Sequence, residues 1–136
     1  MRYLAIDYGN KRTGLAICDS GETIVSPLAV IEGQKELLKR IAEVIETEHV
    51  EAVVLGLPLN MDDSQGPQSQ RVLNFADLLK ACIDIPIHYQ DERLSTFGAE
   101  EKLAAADFTR DRKKKRLDAV AAAQILEAFL ELKKPQ

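Results

Sequence analysis

The sequence has only two cysteines, Cys18 and Cys82, in apolar contexts and without C-x-x-C spacing, which excludes a disulfide framework and a thiolate metal site. Both thiols are expected to be small buried hydrophobes. Histidine is as sparse: His49 closes a helical pattern and His88 falls inside a strand pattern, so both are read as structural. No apolar run approaches the roughly 20 residues of a membrane helix, and the opening MRYLAIDYGN carries Asp7 where a secretory leader would be apolar. A cytoplasmic protein without a membrane partner is expected. Repeats, low-complexity tracts and linkers are missing as well. So is an overall excess of base, since the net charge is −4 and the isoelectric point about 5.2.

What is present is an ordinary globular composition. The 136 residues are 46% hydrophobic and 29% charged, enough apolar surface for one core, and a single domain over residues 1–136 follows. Arg2 to Ile6 and Thr13 to Cys18 are β-compatible runs joined by the short turn-rich Tyr8–Arg12 segment, which predicts a hairpin. Thr23 to Ile31 is a third strand that Pro27 confines to an edge or a bulge. Leu37, Leu38, Ile41, Val44 and Ile45 recur at helical spacing, and Ala52 to Leu57 is a continuous apolar run suited to a strand covered on both faces. A helix over Gln68 to Cys82, a strand over Ile85 to Tyr89, a helix over Thr96 to Ala106 capped by Ser95, and a long helix over Lys114 to Leu132 complete the order. The result is an α/β fold with a mixed five-stranded sheet, three strands antiparallel and two added in parallel, flanked by helices. Strands one, four and five should lie side by side, with a ligand site at their carboxyl ends.

The residues at those ends are Asp7, the Gly56-Leu57-Pro58 corner and the pair Asp91-Glu92. An acid ending a core strand is disfavoured by desolvation unless it is solvated, paired or bound to a cation. Asp118 adds a third carboxylate, because it lies on the same apolar stripe of the last helix as Ala121, Ala122, Ile125, Phe129 and Leu132, and therefore faces the sheet. Three converging carboxylates without histidine or cysteine form a hard-oxygen site suited to Mg²⁺ or Mn²⁺. Such a site can hydrolyse phosphodiesters. Asp91 and Glu92 are adjacent in extended chain and point to opposite sides, so only one can join Asp7, and spacing does not choose between them.

Charge distribution supports a polyanionic partner. Arg110 to Arg116 (RDRKKKR) carries six basic groups against one acid, which leaves −9 on the rest of a chain whose total is −4. With Lys11 and Arg12 after Asp7, and Lys113, Lys114, Lys115 and Arg116 before Asp118, base flanks the proposed site on two sides, where it would hold backbone phosphates.

At this point four segments resemble one known family. Asp7-Tyr8-Gly9-Asn10-Lys11-Arg12-Thr13-Gly14, Gly56-Leu57-Pro58-Leu59-Asn60-Met61-Asp62, Asp91-Glu92-Arg93-Leu94-Ser95-Thr96 and Lys114 through Asp118-Ala119-Val120-Ala121-Ala122 are similar, in order and along the whole chain, to the signature segments of the YqgF (RuvX) family. The resemblance implies an RNase H-like three-layer fold related to the RuvC Holliday-junction resolvases, a divalent-metal nuclease site, and trimming of the 5′ end of precursor 16S ribosomal RNA in ribosome biogenesis. It also implies Asp7, Glu92 and Asp118 as the acidic triad, with Lys11, Asn60, Arg93 and Thr96 lining the cleft.

Two other function classes compete. A Holliday-junction resolvase on branched DNA would favour a homodimer, whereas RNA trimming needs one site and suits a monomer. A binding factor for structured nucleic acid that does not cut is the rival outside enzymology, and an intact carboxylate set separates it from a nuclease. The Asp-x-Gly hairpin also resembles the phosphate loop of actin-like ATPases, but those need a second lobe.

Overall fold

The computed structural model describes residues 1–59, 62, 64–92 and 110–134, with the helix backbone alone at 110–117. The predicted helix over 96–106 lies outside the described residues. Those described form β1 (Tyr3–Asp7), β2 (Arg12–Cys18), β3 (Val25–Glu32), α1 (Leu37–Thr47), β4 (Ala52–Leu57), α2 (Pro67–Lys80), β5 (Ile87–Asp91) and α3 (Arg110–Lys133). The sheet order is β3-β2-β1-β4-β5, with β2 antiparallel to β1 and β3, and with β4 parallel to both β1 and β5. This is the expected mixed sheet. Strand β3 is one edge, and a register shift between Leu15 and Ala16 sets Leu15 opposite Ala29 and Ala16 opposite Pro27. Pro27 therefore sits on an edge strand and beside a bulge, where its missing N–H costs no ladder bond.

Alternation along the strands sorts side chains to two faces. On one, Leu4, Ile6, Leu15, Ile17, Val53 and Leu55 pack with Leu37 and Ile41 of α1 and with Val72, Phe75, Ala76 and Leu79 of α2. On the other, Tyr3, Ala5, Ala16, Cys18, Ala52 and Val54 meet Ala122, Ala123, Ile125, Leu126 and Leu130 of α3. Alanines on both sides of this second layer bring α3 close to the sheet, whereas α1 and α2 stand off on larger side chains. Far from the strands' carboxyl ends, Lys133 Nζ donates to Tyr3 Oη at 2.5 Å and to Glu22 Oε1 at 2.8 Å, which anchors the end of α3.

Two helix details follow from local chemistry. Pro67 opens α2 at a position where its missing N–H is harmless. After α1, His49 takes φ 56°, its N–H reaches Glu46 O at 3.3 Å, and the Val50 N–H reaches Ile45 O at 2.9 Å. These paired bonds stop the helix, so His49 has a structural role. His88 has one too, since its ring lies 5.4 Å from that of Phe129 and 6.2 Å from that of Tyr3.

Three expectations need correction. Cys18 is buried, but Cys82 is exposed, because α2 ends at Lys80 and leaves Cys82 in the following turn. Strand β5 runs two residues further along than predicted, since Pro86 lacks an N–H and contributes only its carbonyl, to the Val53 N–H at 2.9 Å. Helix α3 begins at Arg110, four residues before the predicted Lys114, so the basic run occupies its first turns.

Candidate active site

Asp7 ends β1 and is paired in register with Gly14 of β2. It shares a face with Tyr3 and Ala5, the face covered by α3. The same face and end receive Arg12 and Gly14 from β2, Gly56 from β4, Glu92 from just beyond β5, and Asp118 from α3. β2 runs antiparallel to β1, so its first residues lie at the end where the parallel strands finish.

Two glycines beside Asp7 allow this convergence. A Cβ on Gly14 would overlap the Asp118 carbonyl oxygen, so the α3 backbone rests directly on β2. One on Gly56 would stand 2.6 Å from Glu92 Oε1 and 2.6 Å from Ile125 Cδ1, so the Glu92 side chain lies across β4 beneath α3. One glycine admits the helix backbone that carries Asp118, and the other admits Glu92. Sequence reasoning placed the Gly56 corner at this end of the sheet but gave neither glycine a role in the site. The available signal was a glycine inside an otherwise apolar strand, which marks close approach of another group.

The carboxyls do not behave alike. Asp7 and Glu92 are joined by a side-chain hydrogen bond, and burial pushes Glu92 up to about 9, helped by that bond and by the charges of Asp7 and Asp91. Burial also raises Asp7, the bond to Glu92 opposes the rise, and the nearby charge of Asp118 adds to it. The pair thus shares one proton, with Glu92 as the donor. Asp118 takes a different partner: Arg12 Nε donates to its Oδ2 at 2.8 Å, with the two side chains 30% and 29% exposed.

Between Asp91 and Glu92, which spacing left open, the geometry selects Glu92 as the neighbour of Asp7. Asp91 pairs with Leu57 in the sheet, on the alternate side of the strand. The three carboxylates come to one end of the sheet without closing into a single set. Among the described residues, no three His, Cys, Asp or Glu side chains form a group arranged to hold a metal ion. Three close carboxylates repel one another, and the structure relieves that repulsion by a shared proton at Asp7–Glu92 and a guanidinium at Asp118. The donor chemistry still fits a hard divalent cation, because all the candidate donors are carboxylate oxygens and His49 and His88 lie elsewhere in the fold.

The remaining residues divide. Arg12, expected on phosphate, lies against Asp118. Lys11 is exposed in the β1–β2 turn, whose Gly9 and Asn10 carbonyls accept hydrogen bonds from Gln34 Nε2 at 2.8 and 3.0 Å. Tyr8 in that turn stacks on Phe75 at 4.3 Å and donates to Gln34 Oε1 at 2.9 Å, so the turn is held from both sides. Asn60, Arg93 and Thr96, together with the side chains of Lys113, Lys114, Lys115 and Arg116, lie outside the described residues.

Comparison with known proteins agrees with this reading of the fold. The profile of the family described as "RuvX: Holliday junction resolvase" matches residues 1–132. A protein of Maridesulfovibrio salexigens named "Putative pre-16S rRNA nuclease" is 41% identical over 132 residues, covering 96% of this chain and 98% of its own. One of the same name from Caldanaerobacter subterraneus subsp. tengcongensis is 39% identical over 137 residues, covering 98% and 99%. Among solved structures, Thermus thermophilus RuvC in complex with a Holliday junction substrate superposes with TM-score 0.62 at 16% identity, covering 100% of this chain and 99% of that one. The Fowlpox virus resolvase, in complex with Holliday junction DNA, gives TM-score 0.59 at 15% identity, covering 98% and 100%. At those identities the likeness concerns the fold alone, which is the RNase H-like fold that the four segments implied. With a family profile matched over 1–132 and relatives matched at about 40% identity across nearly their full length, the chain belongs to the RuvX family.

Proposed function

We propose that the protein is a metal-dependent nuclease that hydrolyses phosphodiester bonds, acts in the cytoplasm, and processes the 5′ end of precursor 16S ribosomal RNA during ribosome biogenesis. The observation that carries the reading is the Asp7–Glu92 pair at the carboxyl ends of the parallel strands, with Asp118 on the helix beside it. Buried acids that share a proton and lie beside a third carboxylate are a costly arrangement for a structural role alone. The substrate follows from the names of the relatives.

Asp7, Glu92 and Asp118 would hold Mg²⁺ or Mn²⁺. When bound, the cation lowers the pKa of a water nucleophile and stabilises charge on the leaving oxygen. Asp7 would anchor the set because it ends a central strand and is held in register with Gly14 of β2. Glu92 would have to lose its proton to serve as a ligand, so cation binding would compete with protons. Lys11 and the run Lys113 to Arg116 would attract and position the phosphate backbone, and the family resemblance assigns Asn60, Arg93 and Thr96 to the cleft. Base concentrated near the site offsets the overall net charge of −4 where the polyanion approaches.

The family description favours a second substrate, a four-way DNA junction. Cleavage of labelled precursor RNA and labelled junction DNA, side by side with Mg²⁺, Mn²⁺ or chelator, separates the readings. Divalent-dependent cutting of the RNA, abolished in Asp7→Asn with folding nearly intact, is the expected result. Cutting confined to the junction moves the substrate to branched DNA. Binding of either nucleic acid without turnover makes the protein a non-catalytic factor, and cleavage that survives Asp7→Asn or chelator removes the mechanism.

A further inference from the structure

The Arg12–Asp118 bond lies inside the site but serves neither a closed carboxylate set nor a phosphate. Its geometry has three features. The Asp118 backbone is fixed against β2, since the space at Gly14 is filled by the Asp118 carbonyl. Only the side chain of Asp118 is left to turn. That residue is brought beside Asp7, because Gly14, the register partner of Asp7, meets the Asp118 carbonyl, yet its Oδ2 is held by Arg12. Arg12 makes the bond through Nε alone, so the two terminal nitrogens of a guanidinium built for bidentate anion recognition take no part in it. Both side chains are about 30% exposed, so an arriving anion can reach the pair.

We propose that Arg12 is a positioning residue that keeps the Asp118 carboxylate out of a common ligand set with Asp7 and Glu92 until a phosphate of the bound strand takes the guanidinium in its place. The released carboxylate then turns on its fixed backbone and completes the ligand set. The inference rests on the nuclease reading and adds to it a coupling between backbone binding and cation binding. Coupling of this kind is reciprocal: an oligonucleotide tightens the cation by the same factor by which the cation tightens the oligonucleotide. It keeps a hydrolytic centre incomplete when no strand is bound.

The test reads cation affinity without turnover. Free Mn²⁺ is followed by electron paramagnetic resonance during titration of the full chain, with and without an RNA oligonucleotide whose linkages are non-hydrolysable methylenephosphonates, and the Mn²⁺ taken up by the oligonucleotide alone is subtracted. In the unmodified protein the oligonucleotide is expected to tighten Mn²⁺ roughly five-fold or more. In Arg12→Gln, Mn²⁺ alone should bind more tightly than in the unmodified protein, and the oligonucleotide should add little. Asp118→Asn should lose the coupling as well, and it carries the test should Arg12→Gln lack a cooperative melting transition. Coupling that survives both substitutions, or weaker Mn²⁺ binding in Arg12→Gln without oligonucleotide, overturns the proposal while leaving the nuclease reading intact. Failure of the unmodified protein to bind Mn²⁺ in a manner sensitive to Asp7→Asn overturns both.

Discussion

Gly14 and Asp118 touch backbone to backbone: the hydrogen that stands in for a side chain on β2 is all that separates the strand from the carbonyl of the helix residue. Because Gly14 is also the register partner of Asp7, this single contact sets the distance between the first and third carboxylates of the site.

Gly14→Ala should therefore disturb stability and site together. The added methyl has no cavity to enter, and overpacking of this kind costs about 1–3 kcal/mol. Urea unfolding should show a lowered midpoint with an unchanged slope. A midpoint equal to that of the unmodified protein would mean that α3 shifts freely on the sheet, contrary to the tight packing of its alanines against β1 and β2.

Stability should depend on pH through Glu92. Its carboxyl is raised in the folded protein to about 9, from an ordinary 4.5. Between those values the unfolded chain releases this proton and the folded chain keeps it, so the contribution present below about 4.5 is lost as pH rises towards 9. Asp7, also raised, acts in the same direction. Denaturant midpoints measured in chelator across neutral pH should fall with rising pH in the unmodified protein and fall less steeply in Glu92→Gln. Parallel curves for the two proteins would show that Glu92 ionises normally in the fold.

Replacing Lys113, Lys114 and Lys115 by alanine should weaken binding of nucleic acid of any sequence and lower the slope of log affinity against log salt by about one for each phosphate no longer neutralised. An unchanged slope would assign those residues to solvated helix surface. The substitution also removes three cations from the first turns of α3, where the helix dipole disfavours positive charge, so thermal stability should hold or rise slightly while affinity falls.

The positions of the three acids are readable in the sequence because each stands at a recognisable place. Asp7 and the pair Asp91-Glu92 close apolar strand patterns, and Asp118 lies on an apolar helical stripe, so periodicity carries these acids to one end of the sheet, while the choice of Glu92 over Asp91 comes from the family resemblance. Pro27 is legible for a similar reason: a missing donor tolerates few places in a sheet. Their partnerships are not legible. Nothing in spacing distinguishes a carboxyl that shares a proton from one that takes a guanidinium, because that choice depends on relative burial and on which cation lies within reach. Arg12 accordingly reads in the sequence as a phosphate ligand, although the fold gives it to Asp118. The exposure of Cys82 escapes the same reasoning, because an apolar neighbourhood in sequence does not reveal that the helix stops two residues earlier.

The bond between Arg12 and Asp118 spans 106 residues of sequence, and Glu92 comes from yet another part of the chain. During synthesis, then, the hairpin, the sheet and two of the three acids emerge before the helix that supplies the third. The nascent polypeptide can bring the three proposed ligands together only after α3 has left the exit tunnel and settled onto the sheet, so the set assembles in one late step.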